Sequence, residues 1–289
     1  MRRFTLALAL ATVVELAALA SAQTFYRFQT VTYPNDTFVQ LLGVNNAGRI
    51  AGYHNFTLNQ GFTLIFPARE FDTENFPGSV QTQVIAINNT GLNAGFYIDT
   101  AGITHGFIDN HGNFTTVDFP GTNFNQLLGL NDAGEAAGYY QDAQGVFHPY
   151  IYYGAGRFTI VSTPGVSAQA TGINDLDQIS GFYIDGYGQT HGFLELVDGF
   201  VVTLDFPASA STMALGLNNR HQVVGTYTDN SNNTHGFVYN SEASRFHEVN
   251  DPLGPNSTII NGLNDKGEIV GFYGPSDATI GFVGRPVID

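Results

Sequence analysis

The sequence predicts an all-β protein, a six-bladed β-propeller whose blades are four-stranded antiparallel sheets. Three observations support this prediction. The chain repeats itself about every 43 residues, each repeat contains four short β-prone runs, and the pattern is offset between the two chain ends. No stretch after Gln23 shows helical periodicity, which excludes the helical repeat classes.

A recurring asparagine defines the repeat. Its six copies are separated by 43, 43, 43, 44 and 46 residues: Asn45, Asn88, Asn131, Asn174, Asn218 and Asn264. A glycine follows each copy after seven residues, and a proline and an aromatic residue recur in the same register. The asparagine is expected to start a turn. The alternative is that the six asparagines form a ring near the channel mouth and bind a ligand or an ion.

Within each repeat, short β-prone runs alternate with turns that contain glycine. In the third repeat the turns read DAG, AQG and GAG at residues 132–134, 143–145 and 154–156. This pattern is typical of consecutive hairpins. We name the four strands of a unit a, b, c and d, and the longer link that starts at the recurring proline is the crossover to the next unit. Four strands in about 43 residues match one propeller blade.

The two chain ends predict how the ring closes. The sixth unit stops after its strand c at residues 279–283, whereas a strand of type d at residues 25–34 precedes the first strand a. Pairing the N-terminal strand into the last blade closes the ring and removes two exposed sheet edges. Residues 23–289 are therefore predicted to form one propeller domain, which we expect to act as a monomer.

The first 22 residues have the features of a secretory signal peptide. Arg2 and Arg3 precede an apolar stretch at residues 6–19, and Ala20-Ser21-Ala22 offers a cleavage site after Ala22. Glu15 inside the apolar stretch argues against a stable membrane anchor. The sequence predicts a secreted or periplasmic protein without stable membrane insertion.

Composition excludes several function classes. The net charge is −15 and Lys266 is the only lysine, so the chain lacks the basic surface that nucleic acids require. There is no cysteine, which excludes disulfides, thiol nucleophiles and cysteine metal sites. No cofactor motif occurs, and no cofactor or metal is predicted.

Several segments resemble the bacterial extracellular repeats called the HAF family. They are GLNDAGEAAGYY at residues 129–140, GFYIDGYGQTHGF at residues 181–193 and FVVTLDFP at residues 200–207. The family's His-small-Phe triplet is present at residues 105–107, 191–193 and 235–237, and the third unit departs from it with His148-Pro149-Tyr150. The first and last units lack the histidine. The resemblance covers nearly all of residues 23–289 and implies export and a repeat fold, but no activity.

Four aspartate–histidine pairs are the candidate ligand-binding residues. Each pair is six residues apart and flanks the b–c hairpin of units two to five: Asp99 with His105, Asp142 with His148, Asp185 with His191, and Asp229 with His235. Both members are absent in units one and six, where the hairpin is shorter, so the pair is expected to fasten the hairpin. A shared ligand or metal surface and general-base catalysis are the alternatives.

The repeats carry no unique cluster of reactive side chains, which favours a binding scaffold over an enzyme. An enzyme normally breaks the symmetry of its repeats with single acidic or histidine residues at the channel. The sequence therefore predicts an exported, non-enzymatic propeller that binds a carbohydrate or an extracellular protein, and no catalytic residue is assigned. The alternative is a secreted propeller hydrolase or lyase acting on polysaccharide.

Overall fold

The computed structural model describes residues 25–287, and every regular element in that range is a β-strand. The predicted signal peptide at residues 1–22 lies outside these residues. Strand β1 (Phe25–Val31) opens the described chain. Blade 1 contains β2 (Val39–Val44), β3 (Arg49–His54), β4 (Gln60–Ile65) and β5 (Glu70–Thr73). Blade 2 contains β6 (Gln81–Ile87), β7 (Leu92–Ile98), β8 (Thr104–Asn110) and β9 (Asn113–Val117).

The remaining blades continue the same pattern. Blade 3 contains β10 (Asn125–Leu130), β11 (Ala136–Gln141), β12 (Phe147–Tyr152) and β13 (Phe158–Ile160). Blade 4 contains β14 (Ser167–Ile173), β15 (Ile179–Ile184), β16 (Thr190–Glu195) and β17 (Val201–Leu204). Blade 5 contains β18 (Ser211–Leu217), β19 (Gln222–Thr228), β20 (Thr234–Asn240) and β21 (Arg245–Glu248). Blade 6 contains β22 (Ile259–Leu263), β23 (Ile269–Tyr273), β24 (Ile280–Val287) and β1.

The predicted six-bladed propeller is confirmed, and so is its closure. Every sheet has four antiparallel strands, in the order a-b-c-d from the axis outwards. In blade 6 the outermost strand is β1, which pairs with β24 from Phe25↔Val287 to Val31↔Gly281. The side chain of Val31 is fully buried, and the Phe28 ring packs edge-on to Phe282 at 5.4 Å. The two ends of the chain therefore complete one sheet.

The apolar core is divided into six clusters, each between two neighbouring blades. Every cluster contains one copy of the recurring strand-c aromatic, and all six are fully buried: Phe62, Phe107, Tyr150, Phe193, Phe237 and Phe282. Burying a side chain of this size stabilises the fold by about 1.5–3 kcal/mol. Stability therefore depends on contacts between blades, and each blade needs both of its neighbours.

Candidate functional site

The propeller has two rims that differ in what they carry. The hairpin rim is formed by the b–c hairpins and by the crossovers from strand d to the next strand a. The turn rim, on the opposite side, is formed by the a–b and c–d turns. All eight candidate residues predicted from the sequence lie on the hairpin rim.

The structure brings the two members of each aspartate–histidine pair together. The distance from histidine Nε2 to aspartate Oδ2 is 3.5 Å for His105–Asp99, 2.8 Å for His148–Asp142, 3.5 Å for His191–Asp185 and 3.4 Å for His235–Asp229. The other oxygen of each aspartate accepts backbone N–H groups two and four residues further on. Each aspartate thus builds the hairpin turn and holds the histidine with the same carboxylate.

Three of the histidines have a second partner that the sequence analysis missed. Asp118 Oδ2 lies 2.7 Å from His105 Nδ1, and Asp205 lies 3.0 Å from His191 Nδ1. Asn250 Nδ2 donates to His235 Nδ1 at 3.1 Å. These partners lie two residues before the recurring proline, so an Asp or Asn at that position of the repeat could have identified them from the sequence. The histidine therefore ties its hairpin to the end of strand d.

Each of the four histidine rings stacks on a tyrosine of strand b in the same blade. In blade 2, Phe76 of the preceding crossover stacks on Tyr97 with ring centroids 3.7 Å apart, and His105 also stacks on Tyr97, at 4.9 Å. Blades 3 and 5 repeat this three-ring arrangement. Stacking between neighbouring blades fixes the rim in one geometry, which suits pre-formed recognition of a ligand.

The geometry fits binding better than metal ligation or acid catalysis. Ring nitrogens and carboxylate oxygens contact each other directly, at 2.7 Å for His105–Asp118 and 2.8 Å for His148–Asp142. Between residues 25 and 287, no group of three or more His, Asp or Glu side chains is placed to hold a metal ion. The pKa of Asp142 is lowered, first by its hydrogen bond with His148, and the pKa of Asp99 is lowered, first by the Ile103 backbone N–H. A carboxyl group with a lowered pKa stays ionised at neutral pH, so it accepts hydrogen bonds and is a poor proton donor.

We expect the Asp229 carboxyl group to titrate with a midpoint of about 2 in a ¹³C NMR titration. The side-chain and backbone amides of Asn233 donate to Asp229 and hold its pKa below 3.8. Because the folded-state pKa is lowered, these bonds stabilise the fold above the unfolded pKa, and that contribution is lost as the pH falls towards 2. Asn233→Ala removes the largest cause and should raise the midpoint; equal midpoints in both proteins would contradict this.

A cleft of about 520 Å³ opens on the hairpin rim between blades 4 and 5. His191 and Asp205 line it from blade 4, and Asn230 lines it from the hairpin of blade 5. The Asp205 side chain is 49% exposed. Tyr187, on the same hairpin as Gln189 of the cleft wall, is 99% exposed. Polar groups thus line one open cleft, and an exposed aromatic ring lies on the hairpin that forms one of its walls.

The recurring asparagines form a closed ring at the turn-rim end of the axis. Each side-chain Nδ2 donates to the backbone carbonyl of the asparagine in the next blade at 2.9–3.4 Å, and Asn264 donates back to Asn45. Each Oδ1 accepts the backbone N–H four residues later, as expected for a turn. Both side-chain groups are thus engaged within the fold.

A second ring lies next to the first. The residue after each asparagine donates its backbone N–H to the side chain of its counterpart in the next blade; these residues are Asn46, Asn89, Asp132, Asp175, Asn219 and Asp265. The two rings join all six blades at the axis. At this end of the channel, side-chain hydrogen bonds therefore link every blade to both of its neighbours.

Comparisons with known proteins agree with the fold. No family model matches the sequence, and no curated protein matches it. A putative TolB from Agrobacterium tumefaciens is similar in structure, with 13% identity, a TM-score of 0.64, and coverage of 87% of this chain and 91% of that one. Aleuria aurantia lectin, solved with Fucα1-6GlcNAc, has 13% identity, a TM-score of 0.53 and coverage of 87% and 97%.

One further structural neighbour is a peptidase. The acylaminoacyl peptidase of Pyrococcus horikoshii has 12% identity and a TM-score of 0.53, and the match covers 86% of this chain but 44% of that one. At these identities the likeness shows the propeller fold and no more. Between residues 25 and 287 there is no helix long and apolar enough to cross a membrane.

Proposed function

We propose that this protein is an exported, non-enzymatic propeller that binds carbohydrate on its hairpin rim. The cleft between blades 4 and 5 is the observation that carries the proposal, because a half-exposed carboxylate, Asp205, lines it and the hairpin that forms one of its walls carries a fully exposed tyrosine, Tyr187. Export is supported by the signal-peptide pattern of residues 1–22 and by the resemblance to HAF repeats.

The groups in the cleft match the chemistry of a sugar. Asp205 can accept hydrogen bonds from two neighbouring hydroxyls, and His191 holds that carboxylate in place at 3.0 Å. The side-chain amides of Gln189 and Asn230 donate to the crossover carbonyls of Ala210 and Ala208, and each retains a second N–H for a ligand oxygen. Tyr187 supplies an aromatic face for the C–H face of a sugar ring.

The lectin from Aleuria aurantia supports the proposal at the level of the fold. That protein was solved with a fucosylated disaccharide, and it has the propeller architecture described above. A propeller can therefore carry sugar sites without further domains. The competing hypothesis, a secreted hydrolase or lyase acting on polysaccharide, needs a proton donor, whereas the four aspartates of the b–c hairpins, Asp99, Asp142, Asp185 and Asp229, have lowered pKa values.

The test is a glycan array read with the wild-type protein and three variants. We expect Tyr187→Ala and Asp205→Asn each to weaken binding at least tenfold, because the first removes the aromatic ring and the second replaces the accepting carboxylate with a neutral amide. Tyr153→Ala is the matched control, since Tyr153 is an exposed tyrosine on the turn rim and its loss should change nothing.

The same polysaccharides are assayed for release of reducing ends. We expect no turnover, and turnover would replace the scaffold with the hydrolase or lyase. Binding that is insensitive to both rim variants would move the sugar site elsewhere. The absence of both binding and turnover would refute carbohydrate as the ligand and favour an extracellular protein.

A further inference from the structure

The axial channel opens on the hairpin rim as a cup of about 200 Å³. Its wall is built mainly from residues of strand a, with Tyr53 and Phe96 from strand b. The repeat orders the residues of strand a in layers along the axis, and only some members of the outermost layer reach the cup. The outermost layer, five residues before each recurring asparagine, holds Gln40, Gln83, Gln126, Gln169, Met213 and Ile259. The next layer, three residues before each asparagine, holds Leu42, Ile85, Leu128, Thr171, Leu215 and Asn261. Below it, an unbroken aliphatic layer precedes the asparagine ring.

Asn261 interrupts a layer that the repeat otherwise keeps almost entirely aliphatic. Four of its five counterparts are leucine or isoleucine, and Thr171 is the other exception. Thr171 is satisfied, because its hydroxyl donates to the Ala214 carbonyl at 2.9 Å. Nothing in the strand geometry of blade 6 demands an amide, since β22 pairs with β23 in the same bulged register as in the other blades.

The amide nitrogen of Asn261 is buried and has no hydrogen-bond partner among residues 25–287. A buried donor without a partner costs folding free energy, whereas leucine at this position would cost none. Asn261 also lines the cup. A residue that opposes stability and lies at a cavity wall is a candidate for ligand binding.

Two glutamines of the outer layer offer further donors to the cup. Tyr53 and Tyr139 donate their hydroxyls to the side-chain oxygens of Gln40 and Gln126, at 2.6 Å in both cases. Because the side-chain oxygen of each glutamine already accepts a hydrogen bond from tyrosine, the amide orientation is set, and the amide nitrogen is the group that can donate to a ligand. None of the described residues lining the cup carries a charge.

We propose that this axial cup, with the Asn261 side-chain amide as its central polar group, binds one small neutral polyhydroxylated ring such as a monosaccharide. Ligand hydroxyl oxygens accept from the amides of Gln40 and Gln126, and the apolar face of the ring lies on Leu42 and Leu128. The Asn261 amide nitrogen, closed off from solvent in the free protein, turns towards the ligand by rotation of its side chain. The site is separate from the blade 4–5 cleft, and it is independent of the rim proposal.

The test is a titration of the protein with free neutral monosaccharides, including glucose, galactose, mannose, fucose and N-acetylglucosamine, by saturation-transfer NMR and calorimetry. We expect at least one to bind and Asn261→Leu to weaken it at least tenfold. Because leucine is the residue of the equivalent position in blades 1, 3 and 5, this variant should melt at or above the wild-type temperature. Asn261→Thr, which copies blade 4, is the second variant and should also lose affinity.

Gln169→Leu is the matched control, since Gln169 belongs to the same outer layer but does not line the cup. Its binding should equal that of the wild type, and so should that of Tyr187→Ala. If no monosaccharide binds, or if Asn261→Leu binds as well as the wild type, the cup holds solvent only and the proposal is wrong. Binding that is lost in Tyr187→Ala but kept in Asn261→Leu would refute the axial site and leave the rim site standing.

Discussion

A chain that begins at Tyr33 should show no cooperative thermal unfolding, whereas a chain that begins at Gln23 should melt in one transition. The shorter chain lacks β1 and so leaves β24 as an unpaired sheet edge. It also loses the fully buried Val31, worth about 1.5–3 kcal/mol, and the partly buried Phe28, which packs on Phe282. Together with the lost ladder, this approaches the whole stability of a domain, about 5–15 kcal/mol.

Circular dichroism during heating measures the effect. A synthetic peptide of residues 23–34, added to the shorter chain, should restore the transition because the missing strand is then supplied in trans. If the shorter chain melts cooperatively within a few degrees of the longer one, ring closure by β1 contributes little and the expectation is wrong.

Gly95→Ala should lower the free energy of unfolding by about 3 kcal/mol, the upper end of the usual cost of overpacking. Strand a of blade 2 carries a bulge between Val84 and Ala86, and it brings the Gln83 carbonyl against strand b. A Cβ atom on Gly95 would lie 2.0 Å from that oxygen, and because the obstacle is backbone it cannot rotate away. The bulge recurs in all six blades.

Gly186→Ala is the matched control for this substitution. Gly186 lies in the b–c hairpin of blade 4, and an alanine Cβ at this position would have no atom within 4 Å. Its backbone is outside the left-handed region, so alanine should be neutral or stabilising by about 0.5 kcal/mol through the unfolded chain. Urea denaturation of both variants measures the difference, and equal stabilities would refute the close-approach argument.

Much of the fold could be predicted from the sequence because the repeat presents the same pattern six times. The asparagine of strand a, the glycines of the turns and the missing strand d of the sixth unit are local features, and local features determine strand order within a blade. The glycine excess, 34 in all, belongs to turns and close approaches of this kind. The pairing of Asp99 with His105 was also within reach, since both flank one hairpin.

The contacts that depend on how neighbouring blades pack against each other could not be predicted from the sequence. The two axial rings join Asn264 to Asn45, residues 219 positions apart, and only closure of the ring makes them neighbours. The blade 4–5 cleft and the axial cup likewise draw their walls from several blades. The sequence by itself determined the blade and the number of blades, because periodicity reports short-range pairing. Which side chains face each other across the axis and between blades was decided by the tertiary structure, because those distances depend on the angle at which each sheet packs on the next.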